Sequence, residues 1–479
     1  MRPQLAFAFL LCTACAVPGV PPPAAAMPAT PADWTAGSAA AGSGLESDWW
    51  SAFGDPQAAV IVAEALTANR DLQAAAARVR GAAAQARIAG AGRLPQLAAT
   101  AAARRSRQAF FGFPIPALPG VPVQDPLTST TEVFDLGLAA SWEPDLWGRL
   151  AANERAAVAQ AEAAALDEAA ARLALAGRVL RGWYALGEAE AQLELAQRAH
   201  GNRVQTVERI RLAYEHGLQP PAAVSLAESQ EAAAAAELEI RRQQADALSR
   251  SVEVLLGRYP AGALLQGGVL PENLGTVPAG LPAELVGRRP DLAAAERRLL
   301  AADAQLEEAR ASLYPRLSLT ASGGTSSDTL SELLDGDFRV WSLLGNLTAP
   351  LFQGGRLRAG VDAGLAGADQ ARANFAQAAL VAYEEVEGAL SAADLLPRRV
   401  AALRRAALAA AAAESSARER FQSGIGDLLV LLEAQRGAWQ AESLLLQARR
   451  LVLDARIDLY LALGGGFTDS RGGSLDASQ

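Results

Sequence analysis

The chain repeats itself, and that limits it to two copies of one structural unit. Asn69-Arg70-Asp71-Leu72 is echoed by Arg289-Pro290-Asp291-Leu292, and Leu94-Pro95-Gln96-Leu97 by Tyr314-Pro315-Arg316-Leu317, both pairs 220 residues apart. Gly148-Arg149-Leu150 recurs as Gly355-Arg356-Leu357, Tyr214-Glu215-His216-Gly217 as Phe421-Gln422-Ser423-Gly424, and Leu256-Gly257 as Leu463-Gly464, all 207 residues apart. One offset before a single length change and one after it argue for duplication. The extra 13 residues of the first copy fall between Pro95 and Gly148, where a longer loop is expected.

Each copy follows the same order. The first reads as a helix of about 28 residues over Leu66 to Arg93, a β segment over about 95–145, a helix of about 64 from Arg149, a break at His216-Gly217 to Pro220-Pro221, and a helix of about 36 ending at Leu256-Gly257. The second has helices near 288–313, 356–420 and 428–463 around β segments at about 315–350. Two shorter helices laid end to end match one long helix, a rod of roughly 95 Å. A compact globular domain has no use for such a rod. In the last helix Leu431, Ala438, Leu445, Val452 and Leu459 recur every seven residues, as do Ala434, Ala441, Ala448, Ala455 and Ala462. That is a coiled-coil seam with small residues that let helix axes approach closely.

The β segments alternate. Phe134, Leu136, Leu138, Ala140 and Trp142 point one way, and Asp135, Gly137, Ala139, Ser141 and Glu143 the other. Leu317, Leu319 and Ala321 oppose Ser318, Thr320 and Ser322; Trp341, Leu343 and Leu347 oppose Ser342, Asn346 and Thr348, with Leu344 an exception. Such segments are the signature of a membrane β-barrel, although a soluble half-buried sheet would alternate too. Four strands cannot close a barrel, so oligomerisation must close it. No later stretch is long and apolar enough for a transmembrane helix.

Composition removes other classes. Net charge is −9 and all 43 basic residues are arginine, which gives no basic character for nucleic acid. Both cysteines lie in the first fifteen residues, so a disulfide framework is excluded. His200 and His216 are the sole histidines, and no nucleophile–base–acid arrangement is found; no catalytic residue, metal site or cofactor is expected. Arg2 and the apolar Leu5–Leu11 stretch read as an export signal. Cys12-Thr13-Ala14-Cys15 resembles the lipobox of bacterial lipoproteins, although Cys12 stands where leucine is usual; Cys15 would then carry the lipid, and Ala16 implies sorting to the outer membrane. A plain signal peptide is the alternative.

With Trp49-Trp50, Phe53-Gly54-Asp55-Pro56, Asn69-Arg70-Asp71-Leu72, Leu94-Pro95, Trp142-Glu143-Pro144-Asp145-Leu146-Trp147-Gly148, Arg288-Arg289-Pro290-Asp291 and Leu463-Gly464-Gly465-Gly466, the chain resembles the outer-membrane factors of tripartite efflux pumps. These form the TolC-like superfamily, and the likeness is to its lipoprotein branch, which partners RND transporters. The resemblance covers roughly residues 45–467. It implies an α+β membrane protein with two structural repeats, each a β-hairpin plus long coiled-coil helices. Three chains would form a twelve-stranded barrel above a periplasmic helical tunnel. An equatorial collar would come from about 45–60, 258–287 and the C-terminal tail, with a periplasmic end closed at rest and opened by partners.

The domain reading is a signal peptide at 1–14, a lipid-anchored flexible tether at 15–44, the first repeat at 45–265, an equatorial linker at 266–287, the second repeat at 288–467 and a tail at 468–479. The expected function is a passive export conduit for drugs or other small molecules, lipid-anchored in the outer membrane and extending into the periplasm. Its expected partners are two further copies, a periplasmic membrane-fusion adaptor and an inner-membrane RND transporter. Type I protein secretion and a soluble periplasmic coiled-coil scaffold are the rival readings.

In the resembled family the helix-turn tips form the closed aperture and the adaptor docks there; here these are the turns at Gly217 and Gly424. Aligned on Gly424, Phe421 takes the place of the family's gating tyrosine, Gly426 that of an arginine and Val430 that of the first ring aspartate, while Glu433 matches the second. Ala222 and Ala223 replace a threonine and an aspartate, so the family's polar lock does not carry over as a set. Glu433 and Asp427 remain as acidic gate candidates, with Phe421 and Leu428 as apolar closure. Glu433 also reads as a solvated face and Asp427 as a helix N-cap. Trp142 and Trp147 are expected at a membrane interface, and Trp49 and Trp50 in collar packing.

Overall fold

The computed structural model describes residues 33–36, 48–110, 127–264, 267–271, 277 and 285–466. Cys15, the signal segment and the C-terminal tail lie outside the described residues, as do most of the 15–44 tether and of the 266–287 linker. The elements run α1 (Pro56–Ala68), α2 (Arg70–Ala91), β1 (Gln96–Phe110), β2 (Leu127–Trp142), α3 (Arg149–Glu215) and α4 (Pro221–Leu255), then α5 (Leu285–Arg288), α6 (Pro290–Ala311), β3 (Arg316–Ser327), β4 (Arg339–Thr348), α7 (Arg356–Gln422) and α8 (Leu428–Ala462). The duplication is exact in length for three helix pairs: α2 and α6 have 22 residues, α3 and α7 have 67, and α4 and α8 have 35, whereas α1 has 13 and α5 only 4. The three glycine pairs of the 207-residue offset all adopt left-handed backbone, with φ of 75° and 85° at Gly148 and Gly355, 73° and 76° at Gly217 and Gly424, and 72° and 86° at Gly257 and Gly464. These sites mark chain turns that residues with a Cβ enter only at a cost.

The helix expected over Leu66–Arg93 is two helices. Asn69 breaks it with extended backbone (φ −63°, ψ 129°) and caps α2 by accepting from the Leu72 amide at 3.1 Å. The same buried side chain donates from Nδ2 to the Leu255 carbonyl at 2.9 Å, tying the start of α2 to the end of α4. Its repeat partner makes the same tie with different chemistry, although its side chain does not cap α6. Arg289 donates to the Ala462 carbonyl at the end of α8, and pairs with Asp291 at 2.7 Å and Glu385 at 2.5 Å. Leu255 and Ala462 are themselves 207 residues apart. Burial would push the Asp291 carboxyl up, but the hydrogen bond and charge of Arg289 outweigh it and hold it below the ordinary aspartate value. The echoed N-cap motif is therefore the joint at which two shorter helices meet end to end beside one long helix.

Helix α3 packs against α2, α4, α6 and α8, and α7 against α6 and α8. The α8 seam is buried or half-buried at every predicted position. A second α8 face, Leu453, Ile457 and Tyr460, enters the main core with Trp49, Phe53, Val62, Leu180, Trp183 and Tyr184. Trp49 stacks on Tyr460 with centroids 5.0 Å apart, and Trp183 donates to the Asp55 carboxylate, which also caps α1. Tether residues 33–36 depart from the flexible expectation: Trp34 is 5% exposed against Tyr383, and the Thr35 and Ala36 amides donate to Glu387 at 2.7 and 2.8 Å. A lone tryptophan in an Ala/Pro/Gly-rich stretch was the available signal.

The sheet is an antiparallel meander in the order β1-β2-β3-β4, which leaves β1 and β4 as its edges. The register pairs Ala140 with Ala321 and Ala321 with Leu343, so the apolar sets of β2, β3 and β4 fall on one face. Strand β4 is exposed along its whole length. The first hairpin is longer in its strands, 15 and 16 residues against 12 and 10, so much of the extra length assigned to a loop is strand. No described helix is long and apolar enough to cross a membrane.

Candidate functional site at the helical tips

Helices α3 and α7 stop in the same way. Leu218 N–H donates to Ala213 and Gly217 N–H to Tyr214, both at 2.8 Å; Ile425 N–H donates to Arg420 and Gly424 N–H to Phe421, both at 3.1 Å. These paired bonds, closed by a left-handed glycine, are Schellman turns. They reverse the chain within a few residues and bring α4 and α8 back alongside.

Asp427 is the N-cap of α8: its carboxylate accepts from the Leu429 amide at 2.7 Å. Glu433 sits on an open face with its side chain 67% exposed, and accepts two bonds from Arg436 at 2.6 and 2.7 Å. Arg436 was not anticipated, although a three-residue spacing on a helix places the pair on one face. Leu428 is buried and Phe421 half-buried, together with Ile210, Ala227 and Leu432, inside the tip of their own chain. The apolar side chains that the second tip leaves exposed are Ile425, Leu429 and Val430.

The tryptophans lie where sheet meets helices. Trp142 donates to the Arg93 carbonyl at 3.0 Å; Trp147 donates to the Pro315 carbonyl at 2.6 Å and stacks on Tyr314, joining the two copies. In the same run Glu143 pairs with Arg149 at 2.8 Å, and Asp145 accepts from the Ala151 amide at 2.7 Å in the first turn of α3. The run thus sets the angle at which α3 leaves the sheet. His200 bonds Glu231 at 2.9 Å between α3 and α4. Among the described residues no group of three or more His, Cys, Asp or Glu is placed to hold a metal.

An antiparallel sheet with an apolar face and two open edges, carried on long paired helices that end in closed turns, is the protomer architecture of a TolC-like outer-membrane channel. The outer membrane efflux protein family matches residues 61–258 and 281–465, and the chain belongs to that family. It is 33% identical over 478 residues to the pyoverdine export outer membrane protein OpmQ of Pseudomonas aeruginosa, covering 98% of each chain. It is 35% identical over 455 residues to outer membrane protein OprJ of the same species, covering 93% of this chain and 92% of that one. A solved membrane protein from Pseudomonas aeruginosa superimposes with a TM-score of 0.80 at 33% identity, covering 92% of this chain and 96% of that one. The protein is an outer-membrane channel component of an efflux pump; its family is one of transport proteins rather than enzymes.

Proposed function

We propose that three copies assemble into a lipid-anchored conduit that carries drugs or other small molecules across periplasm and outer membrane. A periplasmic adaptor and an inner-membrane RND transporter drive the export. The observation that carries this reading is the four-stranded sheet with an apolar face and two unpaired edges. Unpaired strand edges in lipid cost several kcal/mol per group, and pairing β4 of one copy with β1 of the next removes them. Gene deletion with complementation tests the function: susceptibility to several drug classes should rise and be restored by the intact gene. Unchanged susceptibility across amphiphilic drugs would reject it.

The anchor is Cys15, the single candidate downstream of the apolar signal core besides Cys12. Mass spectrometry of the mature N-terminus should find acyl groups on Cys15; a free amino terminus at another residue rejects the assignment. Trp142 and Trp147, both part-exposed at the base of the sheet, fit the interfacial belt of the barrel.

The adaptor docks at the Gly217 and Gly424 turns, and the gate lies there too. Phe421 and Leu428 support the second tip from inside, so the exposed Ile425, Leu429 and Val430 supply its apolar closure, with Glu433 behind them. Three Glu433 carboxylates around a narrow throat attract cations, while Arg436 offsets part of that charge. In single-channel recordings, Arg436→Gln should strengthen cation selectivity and Glu433→Gln should weaken it. Asp427→Asn should change little, because asparagine caps a helix nearly as well as aspartate. Unchanged reversal potentials for Glu433→Gln with a shift for Asp427→Asn would move the ring to Asp427.

A further inference from the structure

A cavity of about 530 Å³ lies between α4 and α8, with α3 along its floor. That volume falls in the range of small-molecule sites. Its apolar wall includes Leu195, Ala196, Ala199 and Trp439, and three arginines face a single carboxylate, Glu237, along its lining. Arg241 is paired with Glu237 at 2.7 Å, and Arg436 is held by Glu433. Arg203 differs from both. Among the described residues it is 4% exposed, has no carboxylate partner, and has no hydrogen-bond partner at its Nη1. Its other contacts are a long 3.4 Å bond from Nη2 to the Leu432 carbonyl and the Trp439 ring 4.7 Å below the guanidinium. Burial pushes this guanidinium down from the ordinary arginine value, the sign of a charge without a counter-ion. A buried cation lacking a partner is costly, and Trp439 alone supplies a modest return.

We propose that this groove binds amphipathic organic monoanions, molecules with an apolar body and one carboxylate or sulfonate. The apolar body lies along Leu195, Ala196 and Ala199, the acid group pairs with Arg203, and Arg436 and Arg241 steer it from the rim. The Trp439 indole swings off the guanidinium to admit the acid group and stacks on the body. The site needs no assumption about transport or gating, because it is read by binding alone.

The test compares naphthalene-1-sulfonate with naphthalene-1-methanol, which has the same body and no charge, by calorimetric titration of the full-length assembly in lipid nanodiscs. The sulfonate should bind at one site per chain, at least tenfold more tightly than the alcohol. Arg203→Gln should remove that tenfold preference while leaving alcohol binding unchanged; Arg436→Gln, at the exposed rim, should weaken the sulfonate two- to fivefold. If Arg203→Gln fails to assemble, the sulfonate-to-alcohol ratio of the native protein and the Arg436→Gln shift decide. Equal affinities for the two probes, or a sulfonate affinity untouched by both substitutions, overturn the proposal. So does a structure of the assembly in which a neighbouring copy's carboxylate occupies the Arg203 guanidinium.

Discussion

Gly464→Ala is expected to abolish the accumulation of folded protein, whereas Gly424→Ala is tolerated. Both glycines have φ near 80°, at 86° and 76°, so both substitutions carry the left-handed penalty of about 1–2 kcal/mol. They differ in surroundings. A Cβ at Gly464 would stand 1.9 Å from the Arg288 carbonyl oxygen, whereas a Cβ at Gly424 meets nothing within 4 Å. The obstacle at Gly464 is backbone, held by the α5–α6 joint and by Arg289, so it cannot rotate away. Overpacking adds about 1–3 kcal/mol or more. Gly257→Ala should behave like Gly464→Ala, because its Cβ would stand 2.6 Å from the Ala68 carbonyl oxygen, the equivalent atom of the first copy. The yield of detergent-extracted, protease-resistant protein measures this. Equal yields for the Gly464 and Gly424 variants would reject the joint as a close-packed hinge point.

Leu343 lies on the apolar face, paired across the ladder with Ala321, and is 73% exposed in the single chain. If that face meets lipid, Leu343→Arg places a charge in the bilayer at about 2–4 kcal/mol per copy, a cost repeated in every copy of the proposed trimer. Membrane-inserted protein should fall at least tenfold. Ser342 points to the opposite face, with its hydroxyl 2.8 Å from that of Ser322, so Ser342→Arg should insert normally and alter conduction instead. Normal insertion of Leu343→Arg together with failure of Ser342→Arg would mean that the faces are reversed.

Particular residues show what could be read in advance. The glycines at 148, 217 and 257 and their repeats were legible because the duplication printed the same turn twice, and the structure gives each pair the same φ sign. The alternation in β2, β3 and β4 was legible because the side-chain period of a strand is two; the weaker Ala-rich β1 joined through its pairing with β2. Asn69 was visible as part of a repeated motif, but not as a helix break, because its bond to Leu255 spans 186 residues of sequence. Phe421 and Leu428 were legible as apolar residues of the second tip. Their packing against Ile210 and Ala227 depends on how α3 and α4 approach, which no local pattern encodes. Arg203 was invisible for the same reason: in sequence it is one arginine among 43.

In the proposed assembly one chain supplies an incomplete barrel and copies of it close the pore. The mass of the purified protein in mild detergent, measured by native mass spectrometry alongside its sheet content by circular dichroism, tests this most directly. A trimer is predicted, dissociating only as sheet signal is lost. A stable monomer or dimer with its sheet intact would rule out closure by assembly, because β1 and β4 would then tolerate a membrane as open edges.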